Sequence, residues 1–135
     1  MATERLVVDT GVALAACGSS DAREQLRRFR LAAPPLLWSE VHSAVREAVW
    51  RSEVTADRAA RLLDSFDELA VTRERPAALY ETAVVIAQQL GWAKTYDAEF
   101  VALARLQRTR VLTTDARLRR GADRTGLVFD PSELQ

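Results

Sequence analysis

Residue types that build several common kinds of site are scarce in this sequence. Its 135 residues include one Cys, one His and one Met, with only five Gly and four Pro. A single Cys17 excludes an internal disulfide, and Cys17 and His42 are too few and too isolated to form a Ser-His-Asp or Cys-His catalytic arrangement. Because Gly and Pro are few and 28% of the residues are charged, a disordered or fibrous chain is also excluded.

Long apolar runs are absent as well. Uninterrupted runs such as Ala83–Ala87 are far short of the roughly 20 residues that span a bilayer. The charged residues Glu4 and Arg5 lead directly into a strand-like run, which argues against a secretory signal. We therefore expect a cytoplasmic protein with no membrane partner. Its length and its 48% apolar content fit one domain, residues 1–135, that buries its own core.

Lysine is nearly missing, since Lys94 is the only one among 19 cationic residues, which are balanced by 19 acidic ones. The segment from Arg105 to Arg124 nevertheless holds seven Arg and two Asp, a surplus of five positive charges. Two interpretations stay open, a phosphate-binding rim beside a cation site or a solvated helix face. Under the first, the candidate substrate-binding residues are Arg117, Arg119 and Arg120.

Short apolar runs alternate with longer amphipathic ones, which predicts a helix-rich α/β fold. The candidate strands are residues 6–8, 36–37, 110–113 and 127–129. The candidate helices are residues 21–30, a helix from Ser39, one capped by Thr55, one from Pro76 that stops at Gly91, and one opened by Asp97. Short strands that are apolar on both faces predict a parallel sheet covered by helices on both sides.

Four acidic residues lie where predicted elements begin or end. Asp9 follows the first strand and Asp115 follows the strand of residues 110–113, so both should point into the crevice beyond the carboxyl ends of parallel strands. Glu40 lies in the first turn of the helix after residues 36–37, and Asp97 begins a later helix. Each alone has an ordinary interpretation as a cap or turn residue, and their joint placement favours a shared site.

Carboxylates that share one pocket repel each other unless a cation neutralises them or some of them take up protons. A cluster of oxygen ligands with no His or Cys favours Mg²⁺ or Mn²⁺ over zinc. Such an ion can activate a water and stabilise the charge that develops on a phosphoryl group during in-line displacement. The pattern therefore indicates hydrolysis of phosphodiester bonds.

The chain resembles the PIN-domain nucleases, and among them the VapC-type toxins of bacterial toxin–antitoxin pairs. Four segments carry the resemblance, in this order: Val7-Val8-Asp9-Thr10, Ser39-Glu40-Val41, Tyr96-Asp97-Ala98-Glu99-Phe100-Val101-Ala102-Leu103-Ala104 and Leu112-Thr113-Thr114-Asp115. The resemblance covers essentially the whole chain, and the third segment is its most specific part. It implies a three-layer α/β/α sandwich with a central, mainly parallel sheet of four to five short strands.

The same resemblance implies a Mg²⁺- or Mn²⁺-dependent endoribonuclease. Asp9, Glu40, Asp97 and Asp115 would be its catalytic metal ligands, and Thr113 would support them by hydrogen bonding. It also implies an RNA substrate, a small antitoxin partner and a homodimer. One position departs from the family, which often has Ser two residues after the first acid, where this chain has Gly11. Thr10 is the candidate to compensate for the lost hydroxyl.

Two other phosphate-handling classes fit these residues poorly. A phosphatase of the Asp-x-Asp-x-Thr kind needs an acid at position 11, which is Gly11, and a receiver domain needs a Lys after a late strand, whereas Lys94 precedes a helix. A catalytically silent PIN-like binding module stays open, as does a PIN-like nuclease acting on another nucleic acid. The intact set of four acids favours the ribonuclease.

The helix from Ser39 carries one aromatic residue away from its apolar stripe. Trp50 falls about 180° from Val41 on an ideal helix, on the side of Arg46 and Glu47. An exposed Trp flanked by charge suits a protein interface. The sequence favours another interpretation, in which the following helix folds back as a hairpin and covers Trp50.

Overall fold

The structure, a computed structural model, describes residues 3–134, so Met1, Ala2 and Gln135 of the predicted single domain lie outside it. Five short strands form one sheet in which every neighbouring pair is parallel. They are β1 (Arg5–Val8), β2 (Arg30–Ala33), β3 (Thr72–Arg73), β4 (Val111–Leu112) and β5 (Val128–Phe129). The predicted α/β sandwich with a central parallel sheet is confirmed.

Seven helices cover this sheet in the described part of the chain. They are α1 (Thr10–Gly18), α2 (Ser20–Leu26), α3 (Leu36–Trp50), α4 (Ala56–Glu68), α5 (Leu79–Leu90), α6 (Tyr96–Gln107) and α7 (Ala116–Ala122). Helix α1 packs against α2, α3 and α4, whereas α5 packs against α6, which lies on β1 and β4. Parallel crossovers are right-handed, and the chain crosses the sheet in one direction from β1 to β3 and in the other from β3 to β4. The two helix groups therefore lie on opposite faces of the sheet. Within residues 3–134, no helix combines the length and apolarity that a bilayer crossing requires.

The strand order determines the edge of the sheet at which a ligand would bind. It runs β3-β2-β1-β4-β5, so the chain moves outward from β1 to β3 and then returns to the other side of β1 with β4. This reversal leaves a crevice beyond the carboxyl ends of β1 and β4, where ligands bind in open parallel sheets. Val8 pairs with Leu112 in the register of these two strands, so Asp9 and Thr113 follow side by side.

The second predicted strand was wrong. Residues 36–37 begin α3, and the strand next to β1 is β2, which ends before Pro34. The predicted helix start at Ser39 is consequently three residues late, and Glu40 lies in the second turn of α3. Residues 31–38 contain no polar or charged side chain, and such a run does not reveal where a strand ends and a helix begins.

Other predicted helices are present with shifted ends. Helix α2 spans Ser20–Leu26, shorter than the predicted helix of residues 21–30, and α5 begins at Leu79, three residues after Pro76. Thr55 caps α4 through its side chain and Gly91 ends α5 in the left-handed conformation, both as predicted. Helix α6 begins one residue before Asp97, so Asp97 is not its N-cap. The helix ends at Thr55 and Gly91 depend on the chemistry of those single residues, which explains why the sequence reveals them.

Trp50 is not covered by the following helix. Its side chain is 75% exposed at the end of α3, so the predicted hairpin cover is wrong. Trp38, on the same helix, instead packs edge-on against Phe66 of α4, with their ring centroids 5.9 Å apart. The α3–α4 contact is made on the Trp38 side, and Trp50 is left facing solvent.

Cys17 lies buried in α1, and burial raises the pKa of its thiol to about 11. Roughly one molecule in a thousand then carries a thiolate at pH 8, and the thiolate is the reactive form. We expect the native protein to react with a thiol reagent such as DTNB at least about a hundredfold more slowly than the urea-unfolded protein. Rapid labelling in native buffer would contradict the burial of α1.

Candidate active site

Asp9 is fixed at the end of β1 by hydrogen bonds to both carboxylate oxygens. Its side chain caps α1, with Oδ1 accepting from the Val12 N–H at 2.9 Å, and Oδ2 accepts from the Thr113 hydroxyl. Only 6% of Asp9 is exposed, and Thr113 is fully buried. A buried carboxylate held in one orientation at the sheet switch point is a candidate ligand or general base.

Thr113 joins the Asp9 carboxylate to the backbone of Asp115. Its hydroxyl oxygen accepts from the Asp115 N–H at 2.9 Å while its proton goes to Asp9. Asp115 in turn caps α7, because its Oδ1 accepts from the backbone N–H groups of Arg117 and Leu118 at 2.8 and 3.2 Å. The cap occupies Oδ1 of Asp115 and leaves Oδ2 directed to other partners.

Glu40 belongs to the same region through Thr10. The Thr10 hydroxyl donates to Glu40 Oε1 at 2.7 Å, which ties the first residue of α1 to the second turn of α3. Thr10 therefore does not replace the hydroxyl missing at Gly11 by contacting Asp9. A Cβ at Gly11 would lie 3.1 Å from the Thr114 hydroxyl oxygen and 3.7 Å from Asp9 Oδ1. The Thr114 side chain thus crowds the space that a residue larger than Gly11 would need.

Asp97 lies in the first turn of α6 and contacts a cation of the chain. Its Oδ2 is 3.4 Å from Nη2 of Arg117, and the same nitrogen is 3.9 Å from Asp115 Oδ2. Asp97 and Arg117 open onto a cleft of about 690 Å³. Its lining includes Glu40, Trp92, Lys94, Tyr96, Asp97 and Arg117. Acidic, cationic and aromatic side chains therefore meet in one open cleft.

The carboxylates influence one another's protonation. Burial raises the pKa of Asp9, and the negative charges of Asp115 and Asp97 raise it further, against the opposing hydrogen bonds from Thr113 and Val12. Burial also raises the pKa of Asp97, which Arg117 lowers and Asp115 raises. Asp9, Asp97 and Asp115 are therefore close enough to share one electrostatic environment.

Glu99 is a buried acid that the sequence analysis missed. It is 7% exposed on α6, and its pKa is raised first by burial and then by the charge of Glu40. A signal was present in the sequence, because residues 98–104 around it are otherwise apolar and offer no polar face. All seven of these residues are buried.

The arginines of α7 have separate surroundings. Arg117 contacts two of the predicted site acids, whereas Arg119 pairs with Glu133 at 2.6 Å, and Arg120 is exposed. A second cavity, of about 610 Å³, is lined by Arg23, Arg27 and Arg30 and contains none of the four predicted acids. The carboxylate chemistry therefore lies with the cleft beside α7.

The donor set suits a hard divalent cation. Carboxylate oxygens are the ligands that Mg²⁺ and Mn²⁺ prefer. A cation would offset the burial of the Asp9 charge, which is the main cause of its raised pKa, and its repulsion by Asp115 and Asp97. Within residues 3–134, no group of three or more His, Cys, Asp or Glu side chains is arranged to hold an ion in the conformation shown. Arg117, placed between Asp97 and Asp115, instead supplies positive charge to two of the carboxylates.

A parallel sheet with acids at its switch point and helices on both faces defines a class of α/β proteins that includes the PIN domains. The sequence model of the PIN domain matches residues 6–124, and the chain belongs to this family. It is 36% identical over 114 residues to VapC ribonuclease Mb0985 of Mycobacterium bovis and to ribonuclease VapC9 of Mycobacterium tuberculosis. Each alignment covers 84% of this chain and 87% of the relative. The resemblance to the VapC-type proteins is confirmed.

Two solved structures share the fold. PAE2754 from Pyrobaculum aerophilum matches with a TM-score of 0.76 and 20% identity, over 98% of this chain and 87% of that one. A chain of a toxin-antitoxin complex from Klebsiella pneumoniae matches with a TM-score of 0.69 and 17% identity, over 93% and 97%. At these identities, both comparisons show a shared fold.

Proposed function

We propose that this protein is a Mg²⁺- or Mn²⁺-dependent endoribonuclease. The observation that carries the proposal is the grouping of Asp9, Asp97 and Asp115, whose charges act on each other at the switch point of the sheet. Membership of the PIN family and the ribonuclease names of its relatives support RNA as the substrate. When bound, the divalent ion would activate a water and stabilise the phosphoryl charge.

The side chains of the site divide this work. Asp9, Glu40, Asp97 and Asp115 supply the oxygens for the ion, and Thr113 orients Asp9 through its hydroxyl. Thr10 orients Glu40 in the same way. Because each supporting threonine is tied to one carboxylate, the acids enter the reaction with little reorganisation of their own. Arg117 lines the cleft, and Arg119 and Arg120 follow it on α7. We propose that these three residues offer positive charge to a phosphate backbone.

The direct test compares the purified chain with its Asp97→Asn variant on end-labelled RNA that contains unpaired loops. We expect the wild type to cut internal phosphodiester bonds in Mg²⁺ or Mn²⁺. The variant should cut at least about a hundredfold more slowly, since it loses one charged oxygen ligand and an ion-ligand interaction of a few kcal/mol stabilises the transition state. Both rates are read from denaturing gels under enzyme excess.

Identical purification of the two proteins excludes a contaminating nuclease. Equal cleavage by Asp97→Asn would contradict the role of that residue, and absence of cleavage by the wild type on every RNA offered would favour the silent binding module. Faster cleavage of single-stranded DNA than of RNA would favour the alternative of a nuclease for another nucleic acid.

We also propose that the protein acts in the cytoplasm, where it pairs with an antitoxin as the toxin of a toxin–antitoxin pair and forms a homodimer. The VapC names of its relatives support the antitoxin, and Trp50, 75% exposed on α3, offers such a partner an aromatic anchor. Tyr80 and Val84, one turn apart on α5 and both exposed, offer a second copy an apolar contact.

A further inference from the structure

One guanidinium contacts two of the proposed metal-binding carboxylates. Nη2 of Arg117 lies 3.4 Å from Oδ2 of Asp97 and 3.9 Å from Oδ2 of Asp115. These acids come from different elements, α6 and the cap of α7. Arg117 is thus the side chain that bridges them in the conformation shown.

One of the bridged oxygens, Oδ2 of Asp115, is the one that a metal ion would need. Oδ1 of Asp115 is already held by two backbone N–H groups of α7, which leaves Oδ2 as the oxygen free for a cation. Arg117 occupies that oxygen together with Oδ2 of Asp97. Two positive groups cannot share one pair of carboxylate oxygens without repulsion, so binding of an ion requires Arg117 to move. Its side chain is 79% exposed, and solvent leaves it room to do so.

We infer that Arg117 is an internal competitor for the divalent ion. In the metal-free protein it neutralises Asp97 and Asp115, and it leaves them when the ion enters. The inference rests on the proposed function, because it assumes that these two acids bind the ion. An exposed ion pair is weak, so Arg117 lowers the metal affinity without preventing binding.

The test measures Mn²⁺ affinity by calorimetric titration of the full-length protein. Arg117→Gln should bind Mn²⁺ about two- to fivefold more tightly than the wild type, the range that loss of one exposed ion pair allows. Arg124→Gln is the matched control, because it removes the same charge at an exposed position shortly after α7. Its affinity should stay close to that of the wild type. Arg117→Lys, which keeps the charge, should bind less tightly than Arg117→Gln.

Each other result counts against the inference. Unchanged or weaker binding by Arg117→Gln would overturn it, and weaker binding is what a purely structural role in α7 predicts. An equal gain in Arg117→Gln and Arg124→Gln would assign the effect to general charge repulsion and would also overturn it. If the wild type binds Mn²⁺ and cleaves RNA, these failures leave the proposed function intact. If neither wild type nor Arg117→Gln binds Mn²⁺, the metal-dependent function fails as well.

Discussion

Replacing Asp9 with Asn is expected to lower the rate of RNA cleavage about a thousandfold while the fold is retained. Asn keeps an oxygen that can cap α1, a position where Asn and Asp serve equally well. The substitution removes the negative charge and with it an electrostatic stabilisation of the transition state of several kcal/mol. Each loss of about 1.4 kcal/mol lowers the rate about tenfold. Cleavage under enzyme excess and urea unfolding, measured on the same preparations, test the two halves of this prediction.

The pH dependence of stability gives Asp9 an independent signature. Burial raises its pKa above the ordinary 3.8, so the folded protein binds this proton more tightly than the unfolded chain does. The stability contributed by the protonated group is present at low pH and is lost as the pH rises through the folded-state pKa. Asp9→Asn should therefore flatten this loss in metal-free buffer and be at least as stable as the wild type at neutral pH.

Asp64→Asn is the control, because Asp64 is an exposed acid on α4, outside the acid cluster. It should match the wild type in both cleavage and stability. Cleavage by Asp9→Asn within tenfold of the wild-type rate would refute a catalytic role for Asp9. A loss of cleavage that follows a comparable loss of folding stability would assign Asp9 to the cap of α1 alone.

The elements that the sequence reveals are those with local signals. β1, β4 and β5 are short apolar runs between polar residues, and Thr55 and Gly91 carry the chemistry of helix ends. The four candidate acids were predicted for the same reason, since each was expected near an element boundary. Their grouping at one edge then follows from the parallel sheet.

The elements that were missed lack such signals. Helix α1 has small apolar residues on its exposed side as well as its buried side, since Gly11, Ala15 and Gly18 are exposed, and so it shows no amphipathic period. β2 is mostly alanine where it is buried, and Ala is depleted in strands. β3 is two exposed residues at the edge of the sheet, paired only with β2 in the described chain. Tertiary contacts decide these elements.

The contacts within the site were also beyond the sequence. The surplus of arginines between Arg105 and Arg124 made Arg117 a candidate for phosphate binding. Only the packing of α7 against the sheet shows that it reaches Asp97, twenty residues earlier. Thr10 was expected to help Asp9, yet the side chain turns toward Glu40. The direction of the Thr10 side chain depends on how α1 and α3 pack against each other, and the residues next to Thr10 in the sequence do not determine that packing.

Removal of divalent metal is expected to abolish RNA cleavage, and addition of Mg²⁺ or Mn²⁺ to restore it. The same ions should stabilise the fold, because they bind acids that the unfolded chain does not hold together. At tenfold above the dissociation constant, this linkage amounts to about 1.4 kcal/mol, which raises the melting temperature of a domain of this size by several degrees. Chelator titration of cleavage and thermal unfolding with and without metal are the measurements.

Asp9→Asn and Asp64→Asn separate specific binding from a general salt effect in that experiment. Metal should raise the melting temperature of Asp64→Asn as it does that of the wild type, and should raise that of Asp9→Asn by much less. An equal rise in all three proteins would mean that the ions bind elsewhere on the surface. Cleavage that continues at full rate in excess chelator would refute the metal mechanism, because the carboxylates of this cleft would then act on RNA with no cation to offset their shared negative charge.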